Sequence, residues 1–373
     1  MKLRSLLPSI DWTLVASAAL LAGIGLAMLA SAADTGGGVS PFLLRQGIAF
    51  AVGGALIVIM MKIPYHNWRR IAPAVFGIGL IMQLIVLGAG RIIRGTVSRL
   101  DLFGVQVQPS EFVKVALVLV LAWILAKGRT NAWRQFAITA ATLALPLILV
   151  MQEPDLGMAV LMSALWLGMM IVFGMPWRIV MIVLLIAFAA FGTAWQTVFL
   201  DYQKERILTF LNPTADPLGS GYNVTQSIIA LGSGQIFGRG LGHGPQSQLK
   251  FLPERHTDFI LASVGEELGF VGIALVVILY TVLLWRILLV ARTTRDPFGQ
   301  AISVGAFLLL LIGFTVNSGM NMGLLPVTGI PLPFISYGGS NLITSCFLLG
   351  LVESVKIHSR FTQEGPGELT SFL

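Results

Sequence analysis

The stretch DFILASVGEELGFVGIALVVILYTVLLW, residues 258–285, decides the fold. It is mostly apolar over more than the roughly 20 residues that a membrane-spanning helix requires. Nine further stretches qualify or nearly qualify, at 12–33, 45–62, 71–89, 110–127, 133–151, 154–174, 178–199, 300–322 and 337–356. The expectation is an all-α integral membrane protein of about ten transmembrane helices. Residues 1–373 form a single polytopic domain, with a long connection at about 200–257 between helices seven and eight.

Composition agrees. The 373 residues are 56% hydrophobic and 11% charged, against about 25% charged in soluble domains. A soluble fold cannot hide so much apolar surface. The net charge of +7 does not imply nucleic acid as a partner, because the basic residues fall in short clusters between apolar runs. Lys2 and Arg4 precede the first run, and Ala30-Ser31-Ala32 faintly resembles a signal-peptidase site. The run of roughly 20 residues is too long for a signal h-region and reads as an uncleaved helix. Lone Cys346 reads as a small buried hydrophobe. The four histidines are dispersed, with no zinc-binding spacing. There is no phosphate-binding GxxxxGK[ST] loop.

With the N-terminus in the cytoplasm, fourteen of the 24 Lys and Arg residues but only five of the 17 acids fall on the inner side, as positive-inside topology requires. Both termini are then cytoplasmic. The outer connections, Arg91–Ser110 and Leu200–Thr257, mix aromatic, charged and Gly residues as site-forming loops do. Arg91, Arg94, Arg99, Lys204, Arg206, Arg239, Lys250 and Arg255 all lie there, a density that either membrane lipid headgroups or an anionic substrate explains. The run Gly232–Gly244 reads as a flexible surface turn.

Asp258, at the mouth of the eighth helix, suits a general base or cation holder; complementing the helix dipole is the competing reading. Glu266 shares its helical face, about 12 Å deeper. Glu266 and Glu267 are expected to pair with Lys or Arg on another helix. Glu111 and Lys114, three apart at the start of the fourth span, are expected to meet as an ion pair, a substrate contact, or both. Glu153-Pro154-Asp155 opens the sixth span, with Pro154 at the first helical position and the acids complementing the dipole. Pro331–Ser340 offers either anion-binding backbone N–H groups at Ser336, Gly338 and Gly339 or a tight re-entrant turn.

Read together, QPSEFVK (108–114), EPDLG (153–157), FLNPTADP (210–217), QSQL (246–249), LPERHTDF (252–259), EELG (266–269) and PLPFISYGGS (331–340) resemble the SEDS family (shape, elongation, division and sporulation) in order along nearly the whole chain. PERHTDF and the short tails look more like its RodA branch than the division branch, FtsW. The resemblance implies a ten-helix peptidoglycan glycosyltransferase of the bacterial cytoplasmic (inner) membrane. Its substrate is lipid II, and its site opens on the extracytoplasmic face. It also implies a class B penicillin-binding protein transpeptidase and the rod-shape morphogenesis complex as partners. The family's essential acid maps onto Asp258 and its charged pair onto Glu111 and Lys114. Ser98-Arg99 stands where the family often has Arg-Trp, so that Trp's role does not transfer.

In the mechanism this implies, Asp258 is the base. Lys114, Arg206 and more weakly Arg255, together with a divalent cation (Mg2+ or Mn2+) whose ligands are not assigned, assist the departing pyrophosphate. His256 is a further substrate contact. A lipid II flippase, the division paralogue and a non-catalytic scaffold are the alternatives.

Overall fold

The computed structural model describes residues 9–31, 41–89, 91–93, 96–102, 105–128, 131–212 and 220–361; for 89, 91–93, 96–102, 105, 106, 220, 360 and 361 it describes the backbone alone. Ten apolar helices stand where the ten runs predict them. They are α1 (Trp12–Ser31), α2 (Pro41–Lys62), α3 (Tyr65–Ala89), α4 (Pro109–Leu125), α5 (Ala132–Gln152), α6 (Leu156–Val172), α7 (Trp177–Thr197), α11 (Ile260–Thr293), α12 (Pro297–Asn321) and α13 (Gly339–Phe361). Eight of these are long and apolar enough to cross a membrane. The other two, α4 and α6, have 17 residues each, about 25 Å of helix.

Between α7 and α11 the long connection forms α8 (Asp201–Leu211), α9 (Ser220–Ser233) and the single turn α10 (Pro245–Gln248). The connection before α4 adds a small antiparallel ribbon, β1 (Arg91–Ile93), β2 (Thr96–Leu102) and β3 (Val105–Val107), in that order, with Leu100 opposite Val107. The Ser98-Arg99 departure falls in β2, where the side chains lie outside the described residues, as does Arg94 entirely. Most of FLNPTADP, residues 213–217, also lies outside them.

Burial sorts the helices by depth in the bundle. Fourteen of the 17 residues of α4 are buried, including Glu111 and Lys114, whereas α7 buries only Ile179. A helix apolar all round suits lipid on every side. At one end of the bundle the backbone N–H of Asp11 donates to both Glu353 oxygens (3.2 and 3.1 Å). The Asp11 carboxylate accepts from Arg286 at 2.6 Å and pairs with Lys356 at 3.0 Å. This cluster ties the entry of α1 to the far parts of α11 and α13, so the start of the first span and the end of the last share one face, as an even number of spans requires.

Helix α11 is broken at Gly269 (φ 67°, ψ −163°), a conformation open essentially to Gly alone. The amides freed by the break find carbonyls in the preceding loop: Phe270 donates to Gln235 (2.8 Å) and Val271 to Ile236 (3.1 Å). In return, Arg239 and Gly240 donate to the carbonyls of Glu266 and Glu267. The Gly-rich run is therefore pinned to α11 and is not the free turn its composition predicts. A Cβ on Gly269 would stand 2.2 Å from the Gly238 nitrogen. Gly269→Ala is expected to cost at least about 1–3 kcal/mol, read as a lower melting temperature in detergent; an unchanged melting temperature would refute this account of the break.

Candidate functional site

The strings that stand out in the sequence converge at the end of the bundle opposite the Asp11 cluster, where α11 and α13 begin. The centre is the turn Pro253–Phe259. Five consecutive carbonyls in it are each taken up. Thr257 and Phe259 amides donate to Glu254 (3.0 and 3.2 Å), the Ser263 hydroxyl to Arg255 (3.2 Å), and the Tyr337 amide to His256 (2.8 Å). The Ser336 hydroxyl donates to Thr257 (2.6 Å), and the Asn317 and Asn321 amides both donate to Asp258 (3.0 and 2.9 Å). Asn321 also accepts from the Ala262 amide at 3.0 Å, supplying a partner in the first turn of α11. The helix itself starts at Ile260 with Phe259 as its cap. Asp258 therefore precedes the helix, and the expected common face with Glu266 does not form.

Asp258 lines a cavity of about 290 Å³ together with Asp155, Arg206, Gln108, Tyr202 and the loop 326–329. Asp155 caps α6, accepting from the Met158 amide (3.0 Å), so Pro154 lies in the turn before the helix rather than at its first position. The Tyr202 hydroxyl donates to the Pro154 carbonyl at 2.8 Å. That bond seats α8 over the α5–α6 turn and brings Arg206 to the cavity, its guanidinium 5.7 Å from the Tyr202 ring. The loop 326–329 lies close on α6, since a Cβ on Gly157 would stand 2.3 Å from the Thr328 carbonyl. Phe191 and Phe199, at the end of α7, add an apolar wall.

The other candidates frame this cavity from outside its lining. Glu111 and Lys114 form a buried ion pair at 2.5 Å, and Glu111 also accepts from Asn341 (3.1 Å) and Thr344 (3.2 Å) of α13. Gln108, just before α4, connects this region to the cavity: its backbone N–H donates to the Ser340 hydroxyl (3.2 Å), and its side chain reaches Asp155 at 3.5 Å. His256 packs its ring 5.1 Å from Phe42 and 5.9 Å from Tyr337. The Ser336 hydroxyl is engaged inside the turn, accepting from Leu332 as well, and the Gly338 amide donates to Gln46 (3.2 Å). At Ser336 and Gly338 the Gly-rich start is thus a tight turn rather than an open anion cradle; Gly339 begins α13.

Glu266 and Glu267 pair with no Lys or Arg among the described residues. Glu266 accepts the amides of Gln246 (2.7 Å) and Ser247 (2.9 Å). Glu267 accepts from Gly242 (3.1 Å), Gln248 (3.0 Å) and the Ser31 hydroxyl. Backbone N–H groups, hydroxyls and the Gln248 side-chain amide satisfy these buried carboxylates where cations were expected. Among the described residues no three His, Cys, Asp or Glu side chains group as a metal site. Glu153, fully buried at the end of α5, has a carboxyl pushed from 4.5 up to about 8 by burial, then by the charge of Asp155, with the nearby Gln83 amide acting weakly the other way.

Ten apolar helices closing on a polar cavity at one end define a polytopic α-helical membrane protein. The family model for cell cycle proteins of the FtsW, RodA and SpoVE type matches residues 8–361, and the chain belongs to that family. It is 39% identical over 311 residues to the peptidoglycan glycosyltransferase MrdB of Escherichia coli K12, covering 83% of this chain and 84% of the relative. It is 38% identical over 328 residues to the FtsW of Geobacter metallireducens, described as a probable peptidoglycan glycosyltransferase, covering 86% of each. A chain from a solved peptidoglycan synthase complex that coordinates polymerization and crosslinking superposes with a TM-score of 0.81 at 31% identity, over 94% of this chain and 98% of that one. The RodA of Thermus thermophilus superposes with a TM-score of 0.69 at 28% identity, over 93% and 96%.

Removing one member of the buried Glu111–Lys114 pair leaves an uncompensated charge. Lys114→Met is expected to cost about 3–5 kcal/mol of stability, and the double replacement Glu111→Gln with Lys114→Met less than either single change. Thermal unfolding of the three variants checks this; additive losses would contradict it.

Proposed function

We propose that this chain is a peptidoglycan glycosyltransferase that polymerises lipid II into glycan strands at the outer face of the bacterial cytoplasmic membrane. The observation that carries the reading is the shared cavity of Asp258, Asp155 and Arg206, in a chain whose relatives bear that activity in their names. The 4-hydroxyl of the acceptor sugar attacks the anomeric carbon of the donor from the side opposite the leaving group. The new glycosidic bond forms as the bond to pyrophosphate breaks, so configuration inverts. Asp258 takes the hydroxyl proton. Its main chain is held at five consecutive carbonyls, so the side chain needs little reorganisation. Arg206 offers positive charge to the departing pyrophosphate. Lys114, paired with Glu111 below the cavity, acts through the frame and not on the leaving group. The apolar wall at Phe191 and Phe199 suits the prenyl chain entering from lipid.

Mg2+ or Mn2+ would be held by Asp258 and the pyrophosphate oxygens, since such ions take one or two protein carboxylates with phosphate and water; bound there, it would neutralise charge on the leaving group. A flippase reading draws on the break in α11. Yet the backbone groups at that break are taken up by the loop 235–240. Cell elongation is the favoured setting, on the RodA-like strings and the similarity to MrdB. A class B penicillin-binding protein is the expected partner, with the rod-shape morphogenesis complex around it. A structural neighbour taken from a polymerising and crosslinking complex supports this.

Asp258→Asn is isosteric and is expected to abolish glycan formation from lipid II by the purified protein, with expression and melting behaviour retained, and chelation with EDTA to slow the wild type. Near-normal polymer from Asp258→Asn would remove this carboxylate from the chemistry. Restoration of elongation in cells depleted of MrdB, but not of division in cells depleted of FtsW, would support the elongation role; the reverse would oppose it.

A further inference from the structure

Two fully buried polar side chains face each other beside the cavity and do not satisfy each other. Glu153 and Gln83 are both 0% exposed. Neither carboxyl oxygen of Glu153 and neither amide atom of Gln83 has a hydrogen-bond partner. Gln83 comes from α3, and its amide stands close enough to Glu153 to act on the carboxyl. The residues that follow Glu153, Pro154 and Asp155, line the cavity itself. An ionised carboxylate sealed off without a donor is among the costliest arrangements in a protein. A neutral carboxylic acid is different, because it donates as well as accepts and matches the two ends of a primary amide. The charged group acting on Glu153 is Asp155, on its own turn. From α8, Tyr202 faces this turn, its hydroxyl donating to the Pro154 carbonyl. Two neighbouring carboxylates in unlike surroundings divide the roles, one neutral and one charged.

We propose that Glu153 is a positioning residue of this site: it stands as a neutral acid paired with Gln83 beside the cavity, and so leaves Asp155 as the ionised carboxylate that faces the substrate alongside Asp258. The role of Asp155 toward substrate rests on the polymerase reading; the charge state of Glu153 does not. Ionising Glu153 would put a second negative charge next to the cavity and force the α5–α6 turn to rearrange.

The test compares wild type with Glu153→Gln, which replaces the neutral acid by a neutral isostere. Polymerisation of lipid II by the wild type should fall on the alkaline side of about 8, approaching roughly tenfold per unit beyond it, and Glu153→Gln should lack that fall. Stability gives a readout independent of activity. The folded carboxyl titrates above its unfolded value, so its contribution is complete below about 4.5 and is lost progressively up to about 8. Glu153→Gln should remove that slope from thermal unfolding against pH. Infrared spectroscopy of the folded wild type at neutral pH should contain a protonated-carboxyl band that the variant lacks. Superimposable pH profiles, a folded but inactive Glu153→Gln, or a band unchanged by the substitution would overturn the proposal. A wild type that makes no polymer would instead defeat the polymerase reading, while the infrared and stability results still decide the state of Glu153.

Discussion

Everything at this site depends on satisfying the main chain of residues 254–258. A non-helical turn at the entrance of a membrane helix exposes carbonyls that water reaches poorly, and each must find a donor. Here the donors come from four places: the turn itself, the first turn of α11 through Ser263, α12 through Asn317 and Asn321, and the 331–337 segment through Ser336 and Tyr337. Holding Asp258 by its own carbonyl fixes the origin of its side chain at the cavity. The two asparagines lie one helical turn apart on α12, and both are fully buried. They act as a socket for a single backbone oxygen.

The same economy recurs around the cavity. Buried charge is placed where backbone groups need it, and the chemistry is left to few side chains. Glu266 and Glu267 hold the 239–248 segment against the broken α11. Glu111, neutralised by Lys114, anchors the start of α13. Gln108 links that anchor to Asp155. Apart from Glu153 and Gln83, these contacts frame the cavity with paired polar groups, with lipid-facing helices such as α7 outside it. Such a frame preorganises charge and donors, which is where enzymes draw most of their electrostatic advantage.

The ten helices were legible because the bilayer imposes length and apolarity on each span, and a run of apolar residues records both directly. Asp258 and Arg206 were legible as polar residues in an outer segment. The cavity role of Asp155 was not, because a helix-capping acid and a site acid look alike in sequence, and this residue is both. Tyr202, Gln203 and the loop 326–329 carry no signal of their own; the first two reach the cavity because α8 folds back onto the Pro154 carbonyl, and the loop because it packs on α6 at Gly157. The partners of Glu266 and Glu267 were misread as cations because backbone amides are invisible to charge counting. Asp258 was assigned to a helix face because the apolar run begins there, whereas the first helical residue is Ile260.

The central claim is that the Asp258 cavity opens on the face opposite the chain termini, outside the cytoplasm. Single-cysteine labelling tests it most directly, in a background where Cys346 is replaced by Ala. Leu249, 65% exposed, reports on the cavity end, and exposed Arg178, at the start of α7, reports on the other. In spheroplasts a membrane-impermeant maleimide should modify Leu249→Cys at once and Arg178→Cys only after permeabilisation. The opposite pattern would put the carboxylate in the cytosol, away from any growing wall, and the account would be wrong.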